Sequence, residues 1–200
     1  MTTKISVVIP TYNSASTIIS CLESIKSQTH ASNEVIVCDG GSTDSTVSIA
    51  RAFGATVICS KANRSSQRNI GASHAKGDLV LFVDSDMRLR PRVLEACVNG
   101  FSQGAAALVI PERDIGMSFW ARAKGFERSL YSSAWWLKAA RCFRLTQFLE
   151  IGGFDTELIA TEDWDLDERI RQIGDVVEVK GVDAAEHNVG YLLARGKSKI

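Results

Sequence analysis

The sequence predicts an α/β fold, a mainly parallel sheet with helices on both faces, and three observations carry the prediction. Short β-branched runs alternate with helical patterns from Lys4 to Val109, the order that builds βαβ units. Several of these runs are apolar without interruption, as strands buried on both faces are. Polar motifs sit just past the ends of the runs, at the edge where parallel sheets hold their ligands.

Strands are expected at residues 5–9, 35–38, 56–59, 79–83 and 106–110. Ile18, Ile19, Leu22 and Ile25 recur at helical spacing between the first two, and residues 46–53, 65–75 and 92–101 carry helical patterns in the later gaps. Each crossover returns the chain to a parallel neighbour, so the helices cover both faces. Beyond residue 110 the character changes. From Arg113 to Arg144, seven basic residues stand against Asp114 and Glu127, and three of the four tryptophans fall there. Phe119, Ala123, Phe126, Leu130 and Leu137 keep an approximate helical period, which predicts a long amphipathic helix or helix pair. A loop at Gly152-Gly153, a helix over 164–173 and a strand over 176–179 complete the pattern. No repeat, low-complexity tract or linker interrupts it, so residues 1–200 read as a single domain.

With 45% hydrophobic and 23% charged residues, the chain is neither disordered nor fibrous and has material for a sizeable core. Its 23 basic and 23 acidic residues cancel, so no global field favours nucleic acid, and any polyanion must be met locally. Five cysteines, at 21, 38, 59, 97 and 142, form no Cys-x-x-Cys pair. They read as small core residues in a reducing compartment. The opening Met-Thr-Thr-Lys leads straight into a strand, without the leader of a secreted protein, and the expectation is a cytoplasmic location. No apolar run approaches the roughly 18 to 20 residues that cross a bilayer. The basic, Trp-containing segment has two readings: a helix with a solvated basic face, or a surface for a membrane or acceptor.

Leu79-Val80-Leu81-Phe82-Val83-Asp84-Ser85-Asp86 runs an apolar strand into two carboxylates spaced i, i+2. Hard oxygen ligands there suit Mg²⁺ or Mn²⁺, which complete their shells with diphosphate oxygens. The plainer reading is an Asx-type turn. Pro10-Thr11-Tyr12-Asn13 closes the first strand, the proline being expected to stop its ladder, and Tyr12 is placed to stack on a base. In Asp39-Gly40-Gly41-Ser42-Thr43-Asp44 the glycines permit close backbone approach and Asp39 can accept hydrogen bonds from a ligand, while Asp44 suits a helix start. Asn63-Arg64-Ser65-Ser66-Gln67-Arg68-Asn69 sets two arginines and several amides where a helix begins, a face for phosphates or simply for solvent. Thr161-Glu162-Asp163-Trp164 places carboxylates at a helix start, as caps or as a general base. His187, beyond the last expected strand, is open to a metal, phosphate or structural role.

The order of these motifs, from Pro10-Thr11-Tyr12-Asn13 through Asp84-Ser85-Asp86, Gly152-Gly153-Phe154-Asp155 and Thr161-Glu162-Asp163 to His187, resembles the family-two glycosyltransferases with a Rossmann-like GT-A fold. The resemblance implies a nucleotide-diphosphate-sugar donor, bound mainly by residues 1–110, and an acceptor and catalytic-base half in 111–200. It implies that Thr11, Tyr12 and Asn13 flank the nucleoside, that Asp39 meets the base, and that Arg68 and Asn69 lie near the donor. Asp84, with Ser85 beside it, would contact the ribose or sugar, Asp86 would hold a Mn or Mg divalent cation with His187 as a late ligand, and Asp163 would be the general base. A single displacement assisted by that base inverts the anomeric carbon, in glycoconjugate or polysaccharide synthesis. Relatives of this kind continue past the histidine, so the segment ending at Ile200 reads as compact or truncated. The aromatic and basic segment over 117–144 raises the expectation of a lipid-linked acceptor and peripheral attachment at the inner membrane face. The competing readings are a nucleotidyltransferase, for which no glycine-rich phosphate loop with an activating lysine follows the first strand, and a silent nucleotide-sugar-binding or scaffold module.

Overall fold

In the computed structural model, which describes residues 2–115, 139–158, 161–180 and 185–188, the first apolar run forms β1 (Ile5–Thr11), buried at all seven positions. The chain continues through α1 (Ile18–Lys26), β2 (Glu34–Asp39), α2 (Thr46–Ala52), β3 (Thr56–Cys59), α3 (Arg64–His74), β4 (Leu79–Phe82), β5 (Met87–Arg88), α4 (Val93–Ser102), β6 (Ala107–Val109) and β7 (Glu112–Ile115). It then forms β8 (Ala140–Arg144), α5 (Leu145–Glu150), α6 (Glu162–Arg171), β9 (Val176–Glu178) and β10 (Ala185–Asn188). The main sheet has the order β3-β2-β1-β4-β8-β6-β9, and a small second sheet has the order β5-β10-β7. The expected mainly parallel sheet is present, and among the described residues only β8 runs against its neighbours, β4 and β6.

Strand alternation divides the core in two. Ile5, Val7 and Ile9 of β1 and Leu79 and Leu81 of β4 face α1 and α4, where Ile18, Leu22, Ile25, Leu94 and Phe101 cover them. Val8, Val80 and Phe82 point the other way, into a cluster with Phe143, Phe148 and Phe154. Phe82 lies 5.0 Å from Phe148 and 5.3 Å from Phe154, centroid to centroid. Burying each such ring contributes about 1.5–3 kcal/mol. Period two carries a consequence for chemistry, because Asp84 continues the even-numbered face of β4 and so emerges on the α3 side.

Helix α3 starts where Asn63 caps it, its Oδ1 accepting from the Ser66 amide at 2.8 Å. The helix lies against β1 and β2 because Gly71 leaves room there: a Cβ at Gly71 would stand 2.3 Å from Val8 Cγ1 and 3.0 Å from Cys38 Sγ.

Three expectations change. The residues of 140–144, expected within the basic helix, form strand β8 at the middle of the sheet, and 116–138 lie outside the described residues. Pro10 does not stop β1, which pairs with β2 as far as Thr11 and Asp39. Even-numbered residues of β1 turn their amides toward β4, and that ladder has already ended with the Val83 amide on the Val8 carbonyl at 3.0 Å. No partner there requires the missing N–H of Pro10. His187, expected beyond the last strand, instead lies on β10, where its backbone register pairs it with Met87 of β5, the residue that follows Asp86. Glu186, one residue earlier, ties β10 down through Arg90 at 2.8 Å and Arg113 at 3.3 Å.

The buried cysteines behave as core residues. Burial pushes the Cys38 thiol up to about 12 and those of Cys21 and Cys142 well above the ordinary range, while Cys59 is exposed at the end of β3.

Candidate active site

The ends of β1, β2 and β4 and the first turns of α3 and α6 converge on one edge of the sheet. Beyond β1, Tyr12 is 53% exposed and Asn13 adopts a left-handed backbone, φ 48°, a conformation that asparagine tolerates better than most residues. The Asn13 side chain accepts from the Thr43 amide at 2.8 Å, and its own amide donates to Ser42 Oγ at 2.8 Å. These bonds lock the loop after β1 to the loop after β2.

Asp39 organises that second loop. Its Oδ1 accepts from Thr11 Oγ1 at 3.1 Å and Ser42 Oγ at 2.5 Å, and its Oδ2 from the amides of Gly41 at 3.0 Å and Ser42 at 2.8 Å. Thr11 and Asp39, both expected at the nucleoside, are therefore bonded to each other and buried, and hold the shape of the loop. Asp44 accepts from Thr46 and from the Ala15 amide, which fixes the start of α2. Ser85 donates to Ser14 Oγ at 2.9 Å and so links the turn after β4 to the loop after β1.

Arg68 is the hub. It lies on the inward face of α3, one turn before Gly71, and is 2% exposed. Its Nη2 meets Asp84 Oδ1 at 3.0 Å and its Nη1 meets Asp163 Oδ1 at 3.4 Å. Its guanidinium stands 5.1 Å from the Phe154 ring centroid, an orientation that favours a cation over an aromatic face. Phe154 is carried by the Gly152-Gly153 turn, which two side chains hold. Asn69 donates to the Phe154 carbonyl at 2.8 Å and accepts from its amide at 2.9 Å. Arg169 of α6 donates to the carbonyls of Ile151 at 2.8 Å and Gly153 at 2.7 Å. At Gly153, φ 67°, a Cβ would fall 2.5 Å from Asn69 Oδ1, so backbone conformation and close approach both require glycine.

Asp163 sits in the first turn of α6, on the face that carries Leu166, Asp167 and Ile170 inward, and its side chain is 37% exposed. Burial raises its pKa above the ordinary carboxylate value, Arg68 and Arg141 oppose the rise, and Glu162 and Asp84 add to it. A half-open carboxylate with a raised proton affinity, held by a buried arginine, has the properties of a base that takes a proton from a hydroxyl.

Two residues were missed in the sequence. Arg141 of β8 places Nη2 3.3 Å from Asp84 Oδ2 and pairs through Nε with Glu112. Asp167 accepts the Ala140 amide at 3.2 Å from within α6. Its spacing of i, i+4 from Asp163 was the available signal, since that spacing puts both on one helix face. Asp84 thus meets an arginine on each oxygen. One carboxylate at a strand end fits Mg²⁺ or Mn²⁺, ions that are commonly held by one or two carboxylates and the oxygens of a bound diphosphate. Among the described residues no three His, Cys, Asp or Glu side chains form a metal cluster by themselves.

Residues 6–154 match the family described as Glycosyl transferase family 2. The chain belongs to this family. It is 32% identical over 117 residues to Glycosyltransferase GlyG of Streptococcus pneumoniae, covering 55% of this chain and 39% of that protein. It is 28% identical over 183 residues to the chondroitin synthase of Pasteurella multocida, covering 85% of this chain and 19% of that protein. The chain therefore spans well under half the length of these relatives. Among solved structures, it resembles residues 1–349 of TarS from S. aureus with a TM-score of 0.77 at 22% identity, over 92% of this chain and 60% of that one. It resembles the mannosyltransferase PcManGT of Pyrobaculum calidifontis, in complex with GDP-Man and Mn²⁺, with a TM-score of 0.75 at 22% identity, over 96% of this chain and 60% of that one. The fold of this family-2 chain is thus the GT-A fold expected from its motifs. Among its described residues no helix is long and apolar enough to cross a membrane.

Proposed function

We propose that this family-2 chain transfers a hexosyl group, with inversion, from a nucleotide-diphosphate-sugar to an acceptor hydroxyl. The observation that carries the reading is Arg68, buried and touching both Asp84 and Asp163. One side chain thereby ties the carboxylate that receives the donor to the carboxylate that activates the acceptor.

In this reading Tyr12 and the loop that Thr11, Asn13 and Asp39 hold in shape receive the nucleoside, and Asp84 with Ser85 receives ribose or sugar hydroxyls. Residues 1–110 supply the donor half and 111–200 the acceptor half of one domain. Asp163 accepts the acceptor's proton as that oxygen bonds to the anomeric carbon, while the bond from that carbon to the diphosphate breaks and its electron pair leaves with the nucleotide. Asp86, with His187 as a second ligand, would hold Mn²⁺ or Mg²⁺. When bound, the ion offsets the charge of the departing diphosphate as a Lewis acid.

Charge balance supports the need for a cation. Arg68 and Arg141 are already paired with Asp84, Asp163 and Glu112, and Asp86 and Glu162 are chain neighbours of that group. Within this described group carboxylates outnumber guanidiniums, and a diphosphate brings more negative charge, which favours a cation at the site. The structural neighbours support the donor class, since TarS was solved with UDP-GlcNAc and PcManGT with GDP-Man and Mn²⁺. A lipid-linked acceptor at the cytoplasmic face of the membrane remains part of the proposal, on the strength of the basic, Trp-containing segment alone.

The test is calorimetric titration with UDP- and GDP-sugars in the presence of Mn²⁺ or Mg²⁺ and again with chelator. The expected result is saturable binding of one nucleotide class that is lost on chelation and in Asp86→Ala. Binding that chelator leaves untouched overturns the cation requirement, and no binding across the panel overturns the donor assignment.

A further inference from the structure

Arg141 stands at a break in the sheet. Along β6 and β8, Leu108 pairs with Cys142 but Val109 pairs with Ala140, so one step on β6 spans two on β8 and Arg141 is the extra residue of a β-bulge. The pairing of β8 with β4 runs from Leu79 opposite Arg144 to Leu81 opposite Cys142 and goes no further. Arg141 is thus set apart from the ladders on both sides. A bulge leaves a residue out of the regular alternation and re-aims its side chain, which is why bulges recur beside active sites.

Here the side chain is aimed at Asp84. It is 12% exposed, with Nη2 3.3 Å from Asp84 Oδ2 and Nε on Glu112. Burial works against its charge, but Glu112 and Asp84 outweigh that and hold the proton on the guanidinium. Asp84 Oδ1 is taken by Arg68 at 3.0 Å. A carboxylate held on one oxygen can still turn about its Cβ–Cγ bond, whereas one gripped on both oxygens from different elements has a fixed plane. The bulge is itself supported from α6, where Asp167 accepts the Ala140 amide.

We propose that Arg141 is a donor-positioning residue, which orients the Asp84 carboxylate for the ribose or sugar hydroxyls of the nucleotide-sugar and is itself held in place by Glu112. The proposal rests on the donor reading above. It places in the second half of the chain a residue that controls donor affinity. Lysine cannot take the role, since its ammonium lacks the planar fork that serves Asp84 and Glu112 at once.

The test compares donor affinity in the whole chain for the unmodified protein, Arg141→Lys, Glu112→Gln and Arg144→Met, by calorimetry with the nucleotide-sugar and Mn²⁺ and with melting temperatures alongside. Arg144→Met is the control, because Arg144 lies on the same strand but donates to the Phe101 carbonyl and stacks over its ring. Arg141→Lys is expected to raise the donor Kd roughly 10- to 100-fold, by analogy with the loss that follows removal of a group orienting a metal-ligating side chain. Glu112→Gln should raise it less, and Arg144→Met should lower the melting temperature with donor Kd unchanged. An Arg141→Lys protein that binds donor as well as the unmodified chain overturns the proposal alone. So does an Arg144→Met protein that loses as much affinity. An unmodified chain that binds no nucleotide-sugar overturns the donor reading and this proposal together.

Discussion

Asp167 offers a quantitative test of how α6, the helix that carries Asp163, is held. The carboxylate is buried in α6, and burial raises its pKa from 3.8 to about 6, against the pull of the Ala140 amide and the Arg171 charge. A folded-state pKa above the unfolded value means that the native state binds the proton more tightly. The resulting stabilisation is full below the unfolded pKa and is lost as pH rises through the folded one. Above pH 6 the chain therefore holds an ionised carboxylate in a place that disfavours it. A shift of about two units at roughly 1.4 kcal/mol each puts the cost at about 3 kcal/mol. Asp167→Asn removes the charge but keeps an oxygen to accept from Ala140. Urea unfolding at pH 8 should find the variant more stable by up to that amount, on the order of 6–12 °C in Tm. The change with pH is the sharper readout, since it cancels any constant difference between amide and acid. Integrating the linkage relation from pH 8 down to pH 5, the advantage should shrink by roughly half. A difference between the two proteins that stays flat from pH 5 to pH 8, or a variant less stable at pH 8 than at pH 5 relative to its parent, would refute the assignment of the charge cost to this residue.

Asp163→Asn should leave donor Kd within about twofold and lower transfer by roughly 10²- to 10⁴-fold, the range of a lost general base. On the proposed role of Asp163 as a base that acts ionised, its raised pKa should place the acid limb of kcat/KM, which reports groups of the free protein, above the ordinary aspartate range. A pH-rate profile with its limb at or below that range would contradict this. Gly71→Ala would drive a Cβ to 2.3 Å from Val8 Cγ1 and lift α3, and Arg68 with it, from the sheet. A loss of about 1–3 kcal/mol in chemical unfolding is expected, together with weaker donor binding, and a variant of unchanged stability would show that α3 yields more easily than its packing indicates.

Much of the candidate site at the ends of β1, β2 and β4 is legible in the sequence because it rests on short-range rules. The apolar run of β4 leading to Asp84 needs only the period of a strand buried on both faces, and Asn63 announces the start of α3 three residues before the Ser66 amide it caps. The Gly152-Gly153-Phe154 motif is visible as a turn, but its task of carrying Phe154 beneath Arg68 is not, because that contact joins residues far apart in the chain.

The composition and the order of strands, helices and polar motifs determined by themselves that this chain folds as a mainly parallel α/β sheet, and they singled out Asp84, Asp86 and Asp163 as candidate site residues. Only the tertiary structure decided that Ala140–Arg144 is an antiparallel strand inserted between β4 and β6 rather than the end of a helix. A bulge disrupts the alternation by which a strand is recognised, and the partners that select the strand, β4 and β6, both lie more than thirty residues earlier in the chain. The same insertion brings Arg141 to Asp84 and Asp167 to the Ala140 amide. Local pattern specifies which residues can form an element, but pairing across the sheet decides which of those elements forms and which charges meet there.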